Sequence, residues 1–213
     1  MFRRLQAKRR GERGVVAVEA ALVTPLLLLL VFGIIEFALL MRDDTALTSA
    51  TRAGGRVASA NADAGPGGIN EAGDCVAPCS PANAPMFAQL AANAIQTAGT
   101  AMPKDSINEL WVYKANNKGY PGSDGSTAMT CSANCVKYKW VAAKDQFRYL
   151  GGTWLSSSVN GCANTPPDQV GIYILATHKF LTGFFVPSTT LDDHAVFVFE
   201  PLPTLTCAAG AHT

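Results

Sequence analysis

From Ala20 to Ile35 the chain carries no charged residue, and Glu19 and Glu36 bracket that run. An α-helix rises 1.5 Å per residue, so about 20 apolar residues cross a hydrocarbon layer of roughly 30 Å. The stretch from Arg13 to Met41 supplies them if the two carboxylates sit near the interfaces, and it predicts a membrane-spanning helix. Beyond Met41 the periodicity changes. Leu47, Ala50, Ala53 or Gly54 and Val57 recur at three- and four-residue spacing, with Arg42, Thr45, Ser49, Arg52 and Arg56 on the other positions. This is a helical stripe of small residues. One helix is expected from Val15 to about Ala60, roughly 70 Å long, with about half of it clear of the membrane. Its outer half either packs against other subunits or covers the chain's own domain, and spacing alone favours neither.

Residues 61–85 hold four glycines and four prolines and no periodic apolar pattern, so they read as an irregular linker. Met86 to Ala98 returns to helical spacing, with Phe87, Leu90, Ala91, Ala94 and Ile95 on one side and Gly99 as a stop. Strand texture follows in Ile107 to Lys114, Val136 to Ala143, Gln169 to His178 and Ala195 to Glu200. Alternation is clearest where Val136, Tyr138 and Trp140 interleave with Lys137 and Lys139, and where Val196 and Val198 interleave with Phe197 and Phe199. The expected fold class is α+β: a long N-terminal membrane helix, then a small antiparallel sheet with one packed helix. The expected divisions are a basic leader (1–14), the long helix (15–60), the linker (61–85), the α+β domain (86–207) and a tail (208–213).

Charge places that domain. Arg3, Arg4, Lys8, Arg9, Arg10 and Arg13 against the single Glu12 give the leader a formal side-chain charge of +5, while Arg42, Asp43 and Asp44 after the span give −1. Lysine and arginine near a span stay cytoplasmic, so the N-terminus is expected inside and the domain outside, a single pass through a cytoplasmic membrane. The whole chain of 213 residues is near neutral at +1. Its basic residues gather in the leader, which argues against a nucleic-acid surface. A cleaved secretory peptide is the competing reading, but such apolar cores usually run about 7–15 residues and end at a small-x-small site. This one continues through Phe32, Phe37, Leu39 and Met41.

The six cysteines, Cys75, Cys79, Cys131, Cys135, Cys162 and Cys207, all lie beyond the span. On the side expected to oxidise, an even count reads as a disulfide framework. The preferred pairing is Cys75–Cys79, Cys131–Cys135 and Cys162–Cys207: two local bridges, and a third that ties down the domain's end. Four thiolates from the two CxxxC pairs are the zinc alternative, although zinc motifs favour other spacings and a reducing compartment. No metal site or cofactor is expected.

No catalytic constellation stands out, and the domain is expected to be non-enzymatic. Asp192-Asp193-His194 reads as a solvated strand-entry turn rather than an acid–base site, and His178 falls in a strand. Gly122 to Ser126 reads as a hairpin turn, because it lacks the repeated carboxylates of a calcium loop. The apolar cluster Phe180, Leu181, Phe184, Phe185 and Val186 is either core or, if exposed, a partner surface. Inside the span, Pro25 and Gly33 are tolerated as they are in membrane helices. Glu36 is either interfacial or paired within the membrane. Glu19 asks for a partner because a carboxylate within a membrane helix is costly. A cut between Gly14 and Val15 makes Glu19 the fifth residue of the remaining chain, within reach of a new α-amine on a neighbouring subunit.

The basic leader, Gly14 followed by Glu19, Pro25 with its leucine run, Gly33-Ile34-Ile35-Glu36-Phe37 and the small-residue continuation resemble the N-terminal module of TadE-like pseudopilins. These are components of the tight-adherence (Flp) pilus machinery of bacteria. The resemblance covers about residues 13 to 60. It implies cleavage by a prepilin peptidase on the cytoplasmic face, leaving a helix that begins at Val15. It also implies association with other pilins or pseudopilins and with tight-adherence assembly proteins. The family pattern usually carries an aromatic directly after the glutamate, where this chain has Ala20. The alternative function is an unprocessed single-pass anchor that presents a binding or enzymatic domain outside the cell.

Overall fold

The apolar run and the small-residue stripe form one helix, α1 (Arg3–Ser59), with Pro25 inside it. In this computed structural model the described residues are 3–69, 83–98, 102–183 and 186–210, with side chains from residue 14 onward. The second helix, α2 (Met86–Ala98), has the expected bounds and buries Phe87, Ala88, Gln89, Ala91, Ala92 and Ile95. Five strands follow: β1 (Ile107–Ala115), β2 (Cys135–Val141), β3 (Gln146–Thr153), β4 (Gln169–Lys179) and β5 (Ser188–Val198). They form a single sheet in the order β3-β2-β1-β4-β5, antiparallel at every pairing.

The architecture is the expected α+β arrangement, with two differences in the strands. Sequence texture does not reveal β3, because its half-exposed run QFRYLGGT carries two glycines near its end and alternates weakly. Gly152 there takes φ +94, and a Cβ at that position would lie 2.2 Å from the Cys135 carbonyl oxygen, so only glycine lets the strand pass. The second difference is that β5 begins at Ser188, seven residues before the expected Ala195. Asp192-Asp193-His194 is therefore mid-strand rather than a strand-entry turn: Tyr173 pairs with His194 and Ile174 with Asp193. The serine, threonines and aspartates of its first half hide a strand that is specified by pairing with β4 rather than by its own apolar content.

One face of the sheet carries the main core. Leu110, Val112, Val136, Tyr138, Phe147, Val170, Ile172, Ile174 and Ala176 point to it, beneath α2 and the outer half of α1. An irregularity between Ile107 and Glu109 restores Ile107 to the same side as Leu110. Phe87 meets Trp154 and Phe199 edge-on, with centroids 4.9 and 5.2 Å apart. Each such large side chain contributes about 1.5–3 kcal/mol through removal of apolar surface from water. Gln89 is the polar exception in this core. Its Oε1 accepts from the Ile69 amide and its Nε2 donates to the Phe147 carbonyl and to Asn93 Oδ1, so its burial leaves nothing unpaired.

The opposite face is covered more thinly, by the β1–β2 connection. Trp111, Tyr113, Ala115, Cys135 and Tyr173 form a second cluster there. Tyr113 lies across Gly171, where a Cβ would come within 2.2 Å of its ring, and its hydroxyl donates to the Gly119 carbonyl. Burial pushes the Tyr113 and Tyr138 phenols up from their ordinary value. The Gly122–Ser126 segment is a turn closed by its own groups: Asn116 Nδ2 donates to the Ser123 and Ser126 carbonyls, and Asp124 accepts from the Asn117 amide.

Cys131–Cys135 and Cys162–Cys207 are disulfides. The first closes the β1–β2 connection. The second joins the segment before β4 to the C-terminal strip, where Gly161 donates to the Cys207 carbonyl and Leu202 donates to that of Gly161. Cys75, Cys79, Phe184, Phe185 and His212 lie outside the described residues.

Candidate functional site

The charged residues of α1 locate the site. Counting along the helix, Glu36, Leu40, Asp43 and Leu47 fall four, seven and eleven positions apart, which is one face. The end of β4 and the β4–β5 connection dock along that face. Asp43 is buried, and its Oδ2 lies 2.7 Å from Nδ1 of the equally buried His178. Arg42 approaches the other Asp43 oxygen at 3.4 Å from the solvent side. Two helical turns lower, Glu36 accepts three hydrogen bonds from the connection: from the Leu181 amide at 2.9 Å, the Thr182 amide at 2.6 Å and the Thr182 hydroxyl at 2.8 Å. Phe180 packs edge-on against the His178 ring, 4.9 Å between centroids, and so lies between the two polar contacts. The helix that reads as a membrane span is thus clamped to its own domain by two carboxylates.

Above the clamp, the stripe Ala46, Leu47, Ala50, Thr51, Gly54, Gly55 and Ala58 is buried. A Cβ at Gly54 would stand 2.7 Å from Ile95 of α2, and one at Gly55 would stand 2.2 Å from the Phe197 ring of β5. Small residues here set how closely helix, helix and sheet approach. The stripe is therefore occupied by the chain's own domain, which resolves the question its spacing left open.

Below the clamp α1 is bare. Every side chain from Gly14 to Ile35 is exposed, and the segment is long and apolar enough to cross a membrane. Gly14 and Val15 lie within the continuous helix, exposed on all sides. Glu19 is exposed and meets no described side chain, and the structure does not bring it near Glu36, about 25 Å further along the same rod. Of the two carboxylates singled out from sequence, only Glu36 contacts the folded domain.

Two residues of the clamp went unrecognised in the sequence, and both carry a signal. Asp43 falls on the buried stripe, where a carboxylate needs a partner. His178 shares strand parity with Val170, Ile172, Ile174 and Ala176, which places it on the helix-covered face. Of the described residues in the apolar cluster after it, Leu181 is 70% exposed, Val186 is 51% exposed and Phe180 is half-buried, so these do not form core.

Nothing in the domain has the geometry of a catalytic centre among the described residues. Asp192 and His194 lie exposed on one face of β5 and Asp193 lies on the other, because successive strand residues alternate. Cys131, Cys135, Cys162 and Cys207 are consumed as disulfides, and no group of three or more metal-ligating side chains forms among the described residues.

This geometry defines a class: an apolar N-terminal helix, suited to anchoring in a membrane, that continues without a break into a disulfide-stapled α+β domain. The family model for TadE-like protein matches residues 14–56, so the bare half of α1 and nearly all of its buried stripe form a TadE-like segment. That segment suggests a protein associated with the tight-adherence pilus. No curated protein and no solved structure matched the chain.

Proposed function

We propose that this chain is a membrane-anchored, TadE-like minor pseudopilin that takes part in assembly of tight-adherence (Flp) pili and has no enzymatic activity. The observation that carries this reading is the coincidence of the TadE-like match, residues 14–56, with a helix that is bare over its first half and docked over its second. In this reading the helix sits in the bacterial cytoplasmic membrane with its basic leader inside and the domain outside, where Cys131–Cys135 and Cys162–Cys207 form in an oxidising space. A prepilin peptidase cuts between Gly14 and Val15. The exposed Glu19 then pairs with the α-amine of a neighbouring pilin or pseudopilin, offsetting the cost of a carboxylate in lipid.

A second reading, an unprocessed anchor that presents a binding or enzymatic domain, draws on one observation: the small-residue stripe is spent on the chain's own domain and is not left free for lateral packing. N-terminal sequencing of the membrane-extracted protein separates the two. Val15 as the first residue supports the pseudopilin; Met1 or Phe2 supports the unprocessed anchor. Co-purification with sheared surface fibres then tests entry into the pilus.

A further inference from the structure

Between α1 and the β4–β5 connection lies an open groove of about 770 Å³. Its helix wall is Pro25, Leu29, Phe32, Gly33 and Leu40, and its other wall includes Phe180 and Val186. The geometry points to a second membrane contact: we propose that Phe180, Leu181, Thr182 and Val186 of the β4–β5 connection lie in the lipid beside α1 and that acyl chains of the bilayer fill the groove between them. The proposal rests on the reading of α1 as a membrane span.

Four observations lead there. Apart from half-buried Leu40, the groove's helix wall belongs to the bare apolar face of the span, so whatever covers that face also covers the groove. Leu181 and Thr182 are held at that depth by Glu36, which lies six residues and about 9 Å along the axis below Arg42. The stretch from Phe180 to Leu191 contains no charged residue, and both Leu181 and Val186 expose most of their apolar surface.

The fourth observation concerns the backbone. Irregular chain survives at membrane depth only where its polar groups find protein partners. Here the Leu181 and Thr182 amides donate to Glu36, and the Phe180 amide donates to the Pro187 carbonyl. The carboxylate thus does for the Leu181 and Thr182 amides what water does in an ordinary surface loop. A second protein chain is the less suitable occupant. Among the described residues, the polar side chains lining the groove are Glu36, Thr182 and Thr189, and the Glu36 oxygens are already engaged. Exposed Lys179 directly follows His178 of the clamp, and its long side chain suits a headgroup phosphate in this reading.

The test places the photo-crosslinker p-benzoylphenylalanine singly at Leu181, Val186, Leu22 and Leu205 of the full-length protein in nanodiscs of phosphatidylethanolamine and phosphatidylglycerol. Leu22 is exposed on the span and Leu205 is exposed on the C-terminal strip. Burial of one leucine-sized side chain holds it in lipid by more than about tenfold. The expected lipid adduct yield at Leu181 and Val186 therefore matches that at Leu22 and exceeds that at Leu205 by about that factor. A lipid-phase carbene probe on the unmodified chain, expected to label the peptide that carries Leu181, keeps the test valid if a substituted chain misfolds. Adducts at Leu22 with none at Leu181 overturn the proposal and leave the span standing, whereas no adduct at Leu22 overturns the span and the proposal with it. Cross-linking of Leu181 to a second copy of the chain overturns lipid as the occupant.

Discussion

Replacing Asp43 with alanine tests the clamp at its most buried contact. Asp43 Oδ2 and His178 Nδ1 are 2.7 Å apart, with side chains only 11% and 3% exposed, so neither group regains full hydration when the other is removed. A hydrogen bond to a charged group contributes about 1.5–3 kcal/mol, and breaking a fully buried pair costs about 3–5 kcal/mol. The second Asp43 contact, to Arg42 at 3.4 Å, adds little, since that arginine side chain is 53% exposed. The alanine substitution should therefore cost about 2–3 kcal/mol. For a domain of this size that lowers the melting temperature by roughly 5–10 °C. Near-UV circular dichroism of the full-length protein in detergent follows the melt through the buried Trp154. A double-mutant cycle with His178→Ala isolates the pair, with an expected coupling of at least about 1 kcal/mol, and an apolar pair, Asp43→Leu with His178→Leu, should regain most of the loss. Strictly additive single losses, or an Asp43→Ala cost under about 0.5 kcal/mol, would refute the reasoning that these two residues hold the helix to the sheet.

Glu36→Ala should accelerate hydrogen exchange at the Leu181 and Thr182 amides in the full-length protein while leaving α2 protected; unchanged exchange at those amides would remove Glu36 as their acceptor. Gly171→Val drives a side chain into the buried Tyr113 ring, and chemical denaturation should register an overpacking cost of about 1–3 kcal/mol. A wild-type midpoint would mean that the second cluster has slack. Removing the Cys162–Cys207 bridge, which spans 45 residues, by a double alanine substitution should lower stability by about 4 kcal/mol on loop entropy, read from the urea midpoint. A loss under about 1 kcal/mol would show that the C-terminal strip is held by its backbone hydrogen bonds instead.

Much of this fold is legible in the residues because period and burial agree. The oily run has no charged interruption from Ala20 to Ile35, α2 buries Phe87, Ala91 and Ile95 of its expected apolar side while Leu90 and Ala94 are only half-buried, and β1 and β4 are rich in aromatic and β-branched residues. What escapes is specified by partners distant in sequence. The first half of β5 is polar and becomes a strand because β4 supplies its ladder from Lys179 back to Gln169. β3 hides behind two glycines whose backbone role emerges only beside β2. The clamp escapes for the same reason: Asp43 and His178 are 135 residues apart, and no local pattern couples them. Glu36 was singled out, but its own charge could not indicate that its partners are backbone amides of a connection 145 residues away.

Because α1 is one rod, the clamp and the leader can be separated experimentally. Glu36 lies 22 residues beyond Gly14, roughly 33 Å along the axis, and no described contact of Glu36 or Asp43 reaches below Pro25. Cutting at Gly14–Val15 would leave every hydrogen bond of the clamp in place, so processing and docking should be independent. Glu19→Ala should leave the melting temperature of the domain unchanged while abolishing whatever assembly depends on pairing in the bilayer, and Asp43→Ala should destabilise the domain without altering the N-terminal residue of the membrane-extracted chain. Sequencing and thermal melting of both variants read the two effects side by side. If Glu19→Ala lowered the melting temperature as far as Asp43→Ala does, the bare and docked halves of α1 would be energetically coupled, and treating the helix as two functional segments joined at Glu36 would have to be abandoned.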